Sequence, residues 1–122
     1  MFEIPISPLS QNMAWAGRRY KTQDYKDYDA ELSAYFKKLN LPKLKPKEPF
    51  YLFFEFGTVS RQDLSNNLKL AEDILCRYLG VDDRNTMSIY CRKIVTKKVD
   101  GFIRFNIFLS EYDLIKAITD EV

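Results

Sequence analysis

The middle of the chain carries several carboxylates and one lysine, namely Asp63, Lys69, Glu72 and the pair Asp82-Asp83. The spacing from Asp63 to Glu72 places these groups around a single edge of a helix, and the Asp pair follows that helix. Hard divalent cations prefer anionic oxygen ligands. The stretch therefore predicts a divalent metal site beside a helix.

A strand and a helix must position these groups. The apolar run from Tyr51 to Phe56 is typical of a buried strand, and Asp63 ends the loop that follows it. Beyond the loop, apolar residues at helical spacing predict one buried stripe: Leu64, Leu68, Ala71, Leu75, Tyr78 and Leu79. A neighbouring stripe carries Ser65, Lys69, Glu72 and Cys76.

The remaining pattern predicts an α+β fold, a small mixed β-sheet with helices packed on one face, in a single domain of residues 1–122. Strands are expected over 2–6, 49–57, 87–97 and 101–109, and further helices over 23–39 and 110–121. The strand at 49–57 is apolar on both faces, which favours a central position. Thr22 is a suitable N-cap, and Asp100-Gly101 indicates a hairpin between the last two strands.

Composition excludes several classes of chemistry. The chain has no histidine, which excludes Ser-His and Cys-His catalysis and histidine-ligated zinc. Cys76 and Cys91 fit no metal or redox spacing, so we expect reduced thiols in a cytoplasmic protein. No apolar run is long enough for a membrane span, and the start of the chain lacks the features of a signal peptide.

Basic residues form clusters although the net charge is only +2. Arg18, Arg19 and Lys21 form the first cluster, and others occupy residues 37–47 and 92–98, apart from the acidic segments. Such separation allows one face of the protein to contact phosphates. For residues 37–47 the alternative is a solvated, lysine-rich linker.

Three segments give the chain a resemblance to a known family. Residues 8–12 read Pro-Leu-Ser-Gln-Asn and residues 17–22 read Gly-Arg-Arg-Tyr-Lys-Thr, while residues 61–66 read Arg-Gln-Asp-Leu-Ser-Asn, followed by Lys69 and Asp82-Asp83. Over about residues 5–110 the chain resembles the RusA family of Holliday junction resolvases, which are small dimeric endonucleases. The family's patterns are Pro-x-Ser-x-Asn, Arg-x-Tyr-x-Thr, and Arg-x-Asp-Leu-Asp-Asn with a later lysine and an Asp-Asp pair.

The resemblance implies a homodimeric RusA-like fold and a metal site for Mg²⁺, with Mn²⁺ as the alternative, formed by three aspartates and assisted by a lysine. Asp63 matches the first aspartate, Lys69 the lysine, Asp83 the last aspartate and Asp82 its neighbour. Ser65 occupies the position of the middle aspartate and brings no charge. The implied activity is cutting of Holliday junctions or other branched DNA, in the cytoplasm of a bacterial host, without a membrane or a small-molecule cofactor.

Glu72 is the residue that could compensate for Ser65. It lies on the same side of the helix, but seven residues rise about 10.5 Å, so it would have to move the metal along the helix. The residues predicted to bind DNA are Asn12, Arg18, Arg19, Lys21 and Arg61. Two alternatives remain open: a branched-DNA-binding relative with weakened or lost catalysis, and a dimeric interaction module unrelated to DNA.

The predicted site residues also have purely structural interpretations. Asp63 could cap the helix, and Lys69 could be a surface partner of Asp73 at i+4. Asp82-Asp83 could form an ordinary acidic turn, and Asn12 could stabilise its own loop.

Overall fold

A mixed β-sheet organises the computed structural model, which describes residues 1–10, 13–16 and 20–121. In chain order the strands are β1 (Phe2–Ile4), β2 (Trp15–Ala16), β3 (Tyr20–Lys21), β4 (Phe50–Thr58), β5 (Thr86–Val95) and β6 (Phe102–Phe108). The α-helices of the described residues are α1 (Gln23–Lys38), α2 (Leu64–Leu79) and α3 (Glu111–Glu121). Single turns of 3₁₀ helix cover Asp83–Asn85 and Lys98–Asp100. The predicted α+β class is confirmed.

Strand β4 lies inside the sheet, as its apolar residues predict. The order is β1-β6-β4-β5, with β4 antiparallel to β6 and parallel to β5. Strands with apolar residues on both faces are typical of the interior of a sheet, and β4 has a neighbouring strand at each edge. Strands β2 and β3 pair with each other in a separate small sheet.

The prediction of a hairpin between the last two strands is wrong. Strands β5 and β6 lie on opposite sides of β4, so the Asp100-Gly101 segment crosses the end of β4 instead of turning tightly. The crossing is held by hydrogen bonds from Thr96 N to Thr58 O (2.8 Å) and from Ser7 Oγ to Lys98 O (2.7 Å). The two-sided burial of β4 therefore outweighs the local turn signal.

Helices α1 and α2 pack on one face of the sheet and enclose the main core. That core combines β4, β6 and β1 side chains with both helices: Ile4, Tyr25, Tyr28, Leu32, Phe36, Phe50, Leu52, Phe54, Phe56, Leu70, Ala71, Ile74, Leu75, Ile103, Phe105 and Ile107. On α2 the buried stripe is rotated from the predicted one. Leu70 and Ile74 are buried, whereas Tyr78 is 41% exposed.

The prediction that all helices pack on one face is also wrong, because α3 covers the opposite face. Its Glu121 forms an ion pair with Arg104 of β6, and Arg104 reaches Glu55 of β4 on that same face (Nη1 to Oε1, 3.0 Å). Arg92 of β5 also donates to Glu55 (Nε to Oε2, 2.8 Å). Helix α3 docks on this network, which lies on the face of the sheet opposite α1 and α2. The periodicity of the sequence alone does not predict this position of α3.

Local capping residues set where the site-bearing helices begin and end. Thr22 caps α1 as predicted, its Oγ1 accepting from Tyr25 N at 3.2 Å. Helix α2 ends at Gly80, whose left-handed backbone (φ 70°) allows the chain to reverse at low steric cost. The reversal returns the acidic pair to the flank of α2. Among the described residues, no helix combines the length and apolar character needed to cross a bilayer.

Candidate functional site

Lys69 and Asp83 meet beside α2, as the sequence predicts. The Lys69 Nζ lies 3.4 Å from Asp73 Oδ1 and 3.9 Å from Asp83 Oδ2. Both charges near the ammonium, that of Asp73 most strongly, raise the pKa of Lys69. Lys69 is 49% exposed and Asp83 43% exposed, so the pair can be reached from solvent. The cluster is therefore an accessible, mixed-charge site.

Glu72 completes this cluster, which we define as Lys69, Glu72, Asp73 and Asp83. Glu72 is half-buried one turn along α2 from Lys69. Burial raises the pKa of the Glu72 carboxyl, and the negative charge of Asp83 raises it further, while Lys69 acts in the opposite direction. Glu72 and Asp83 are thus close enough to repel each other, and the half-buried position strengthens that repulsion.

Asp63 lies at the other end of the helix segment and caps it. Its Oδ1 accepts from Ser65 N at 3.0 Å, and its extended backbone precedes the first helical residue. The structural interpretation of Asp63 is therefore realised.

Capping gives a prediction that does not depend on metal. Asp63→Ala should lower the free energy of unfolding by about 1 kcal/mol, because alanine offers no acceptor for the first turn. Asp63→Asn should be close to wild type, since asparagine caps as well as aspartate. Urea unfolding of both variants measures the two values. Equal losses from both substitutions would show that charge, not capping, stabilises this helix end.

Asp82 has a partner of its own. Its Oδ1 accepts from the Arg84 backbone N–H and its Oδ2 from Arg84 Nε, both at 2.9 Å. The bonds to Arg84 lower the pKa of the Asp82 carboxyl. Both carboxylate oxygens thus shape the 3₁₀ turn that carries Asp83. Asp82 lies beside Asp83 as predicted, but its side chain is bonded to Arg84 within the turn.

A cleft of about 890 Å³ opens between the N-terminal segment, the start of α1 and the loop before α2. Arg61, Asp63 and Asn66 of the central motif line it. Its charged lining is mainly acidic: Asp24, Asp27, Glu31 and Asp63 against Arg61 and Lys98. Such a lining repels anionic groups.

The predicted DNA-binding residues are described only in part. Lys21 and Arg61 are exposed, and the Lys21 ammonium lies 4.7 Å from the centre of the Tyr25 ring. Asn12, Arg18 and Arg19 lie outside the described residues. Lys21 precedes the N-cap of α1 and Arg61 precedes α2, so both stand near helix starts whose residues line the cleft.

A three-carboxylate metal site is not formed in this arrangement. Within the part of the chain that the structure describes, no group of three or more His, Cys, Asp or Glu side chains could hold a metal ion. Mg²⁺, however, is commonly bound through one or two carboxylates, with water and substrate phosphate in the other positions. Glu72 and Asp83 fit that smaller donor set, because both side chains offer carboxylate oxygens.

Two partners in this region were not among the predicted site residues. Asp73 contacts Lys69 more closely than Asp83 does, and the i, i+4 spacing had indicated it only as a surface partner. Lys93 of β5 holds the loop before α2, donating to Ser60 O and Gln62 O. No sequence signal marks a bond from a side chain to a distant backbone carbonyl.

Compared with known proteins, the chain matches no protein-family model and no curated protein sequence.

Proposed function

We propose that this chain is an endonuclease of the RusA type, which cuts Holliday junctions or other branched DNA by phosphodiester hydrolysis. One observation carries the proposal: Lys69 Nζ lies 3.9 Å from Asp83 Oδ2 in an exposed position, and Glu72 lies one turn along the same helix. The RusA motif supplies the reaction class. The proposed location is the cytoplasm of a bacterial host.

Glu72 and Asp83 would hold the Mg²⁺ ion that the RusA resemblance implies, with Mn²⁺ as the alternative. Their carboxylate oxygens are the ligands such hard cations prefer. When bound, the cation would supply Lewis-acid polarisation of the scissile phosphate. The proposal places the ion beside Glu72, further along α2 than Ser65, because the serine position offers no charge.

Lys69 would stabilise negative charge on the phosphate or the leaving oxygen. The ammonium is charged at neutral pH, and the Asp73 carboxylate, 3.4 Å away, holds it beside α2. A preorganised cation near developing charge is an effective form of electrostatic stabilisation. Asp63, which caps the start of the same helix, would lie at the cleft rim beside the contact between Arg61 and the DNA backbone.

We infer a homodimer, since two strands must be cut symmetrically across a junction. Strand β5 supports this inference because it forms one edge of the sheet and pairs with β4 only on its inner side. A ten-residue edge strand offers a row of backbone groups to a second copy.

Incubation with a labelled four-way junction, with and without Mg²⁺ or Mn²⁺, tests the proposed function. We expect metal-dependent cutting at paired positions near the branch point. Salt-dependent binding without cutting would instead support a non-catalytic DNA-binding relative, which the uncharged Ser65 and the missing third carboxylate favour as the second candidate. Neither binding nor cutting would leave the dimeric interaction module.

Phosphate contacts give a prediction about salt. Replacing both Lys21 and Arg61 by alanine should weaken binding to all DNA sequences alike and reduce the slope of log affinity against log salt by about 0.9 per contact. Titration by fluorescence anisotropy at several salt concentrations measures the slope. Lys116→Ala on α3 is the matched control, because it removes an exposed charge on the opposite face of the sheet. A double variant with the control's slope would remove both residues from the DNA interface.

A further inference from the structure

We propose that Lys93 is a positioning residue for the loop that carries Arg61 and Asp63. Its Nζ donates to two carbonyl oxygens of that loop, Ser60 O and Gln62 O, each at 2.9 Å. The two acceptors flank Arg61, and the second directly precedes Asp63. This inference rests on the proposed function, because it concerns residues assigned to DNA contact and to the reaction.

The two carbonyls that Lys93 bonds lie in a loop between β4 and α2. Strand β4 ends at Thr58 and α2 begins at Leu64, so residues 59–63 connect the two elements outside regular structure. Gln62 N donates to Val59 O at 3.2 Å within the loop. Carbonyls turned toward the protein require donors, and one ammonium has three N–H groups to offer.

Strand β5 supplies the ammonium from a fixed point. Lys93 pairs in register with Phe56 of β4, one of the fully buried core residues. Its side chain therefore starts from the β4–β5 strand pair and ends on the loop. Bonds from a charged donor are stronger than neutral ones, so two of them restrict the loop more than an ordinary turn would.

The consequence concerns catalysis as well as stability. Arg61 and Asp63 are exposed, and the bond from Ser65 N to the Asp63 carboxylate holds the helix start while Lys93 holds the loop before it. Reacting groups must be placed closely, since a misplacement of about 1 Å can cost about 100-fold in rate. By bonding on both sides of Arg61, Lys93 sets where the guanidinium and the Asp63 carboxylate stand relative to a bound phosphate.

Three variants separate positioning from general structural support. Lys93→Met removes both bonds but keeps the aliphatic chain, Lys93→Arg keeps a cation that can reach two carbonyls, and Lys116→Met is the control for charge loss. For Lys93→Met we expect kcat on a four-way junction to fall by about tenfold or more, with KM changed less. Lys93→Arg should recover most of the lost rate, and Lys116→Met should match the wild type.

Amide hydrogen exchange gives a readout that does not need catalysis. The Ser65 amide donates to Asp63 Oδ1 at 3.0 Å, so its protection reports how firmly the loop end is held. In Lys93→Met this amide should exchange about tenfold faster, while core amides of β4 keep their protection. Lys93→Arg should restore slow exchange.

The two readouts distinguish the failure of each proposal. A wild type that cuts no junction overturns the proposed nuclease, and faster Ser65 exchange in Lys93→Met still supports positioning of the loop. A wild type that cuts, together with an unchanged kcat in Lys93→Met, overturns the role of Lys93. Faster exchange spread equally over all core amides, or an unchanged Ser65 amide, overturns it as well.

Discussion

Replacing Glu72 by glutamine is expected to slow cleavage of a four-way junction by about 100-fold or more, the scale seen when one preorganised electrostatic group is lost. The swap keeps the size of the side chain and removes the charge that would hold the cation with Asp83. The melting temperature should not fall, because Glu72 is half-buried beside a like charge and gains little from being ionised. Cleavage rates across a magnesium titration, with calorimetry of the same samples, measure both effects.

The stability of the metal-free protein provides an internal control. The pKa of Glu72 is raised in the folded state, so the folded protein binds this proton more tightly than the unfolded chain does. Glu72 therefore contributes its full stabilisation at pH values below the pKa that it has in the unfolded chain. This contribution is lost as the pH rises through the pKa that it has in the folded protein. Glu72→Gln should lack this loss and be at least as stable as wild type at neutral pH.

A second variant tests whether one carboxylate can replace another. Ser65→Asp, added to Glu72→Gln, should recover part of the cleavage by returning charge to the position where the RusA pattern has an aspartate. The two positions are about 10.5 Å apart along α2, so recovery should be partial. Equal cleavage by wild type and Glu72→Gln would contradict the role of Glu72 and leave the charge missing at Ser65 uncompensated.

How far the sequence predicts this site depends on the distance over which each contact acts. The Lys69–Asp73 pair follows from helical spacing alone. Asp83 approaches Lys69 only because the chain reverses at Gly80. A glycine after an apolar stripe predicts the end of a helix, but it does not predict the direction that the chain then takes. The hydrogen bonds from Lys93 to the 59–63 loop are accepted by backbone carbonyls. Every residue has such a carbonyl, so the residue types of the loop do not predict these bonds.

The same limit applies to the fold. Apolar residues on both faces predict the central position of β4, because such a strand must be covered twice. Helix α2 has apolar residues on two adjacent stripes, so periodicity cannot decide whether Leu70 and Ile74 or Leu68 and Tyr78 face the core. Packing against α1 and the sheet decides it in favour of the first pair. For α3, the ion pair between Arg104 and Glu121 fixes the face, and no local pattern links the two residues.

Glu55→Gln is expected to lower the free energy of unfolding by about 3 kcal/mol, which for a chain of this size is a fall of roughly 10 °C in melting temperature. Glu55 is fully buried and accepts hydrogen bonds from Arg92 and Arg104. Its neutralisation leaves two guanidinium groups without their buried counter-charge. A loss of about 3 kcal/mol is at the lower end of the range for a broken buried ion pair. Arg92 is 40% and Arg104 28% exposed, so water can solvate both guanidinium groups.

Thermal unfolding of Glu55→Gln beside Glu31→Gln, an exposed carboxylate on α1, checks this value. The control should stay within about 0.5 kcal/mol of wild type, as surface substitutions usually do. Because Arg104 also binds Glu121, loss of Glu55 should loosen α3 first, and amides of α3 should exchange faster than those of α1. A Glu55→Gln protein as stable as the control would mean that water solvates both arginines well enough for the buried carboxylate to contribute nothing net. In that case apolar packing of Leu114, and not the ion network, would hold α3 on the sheet.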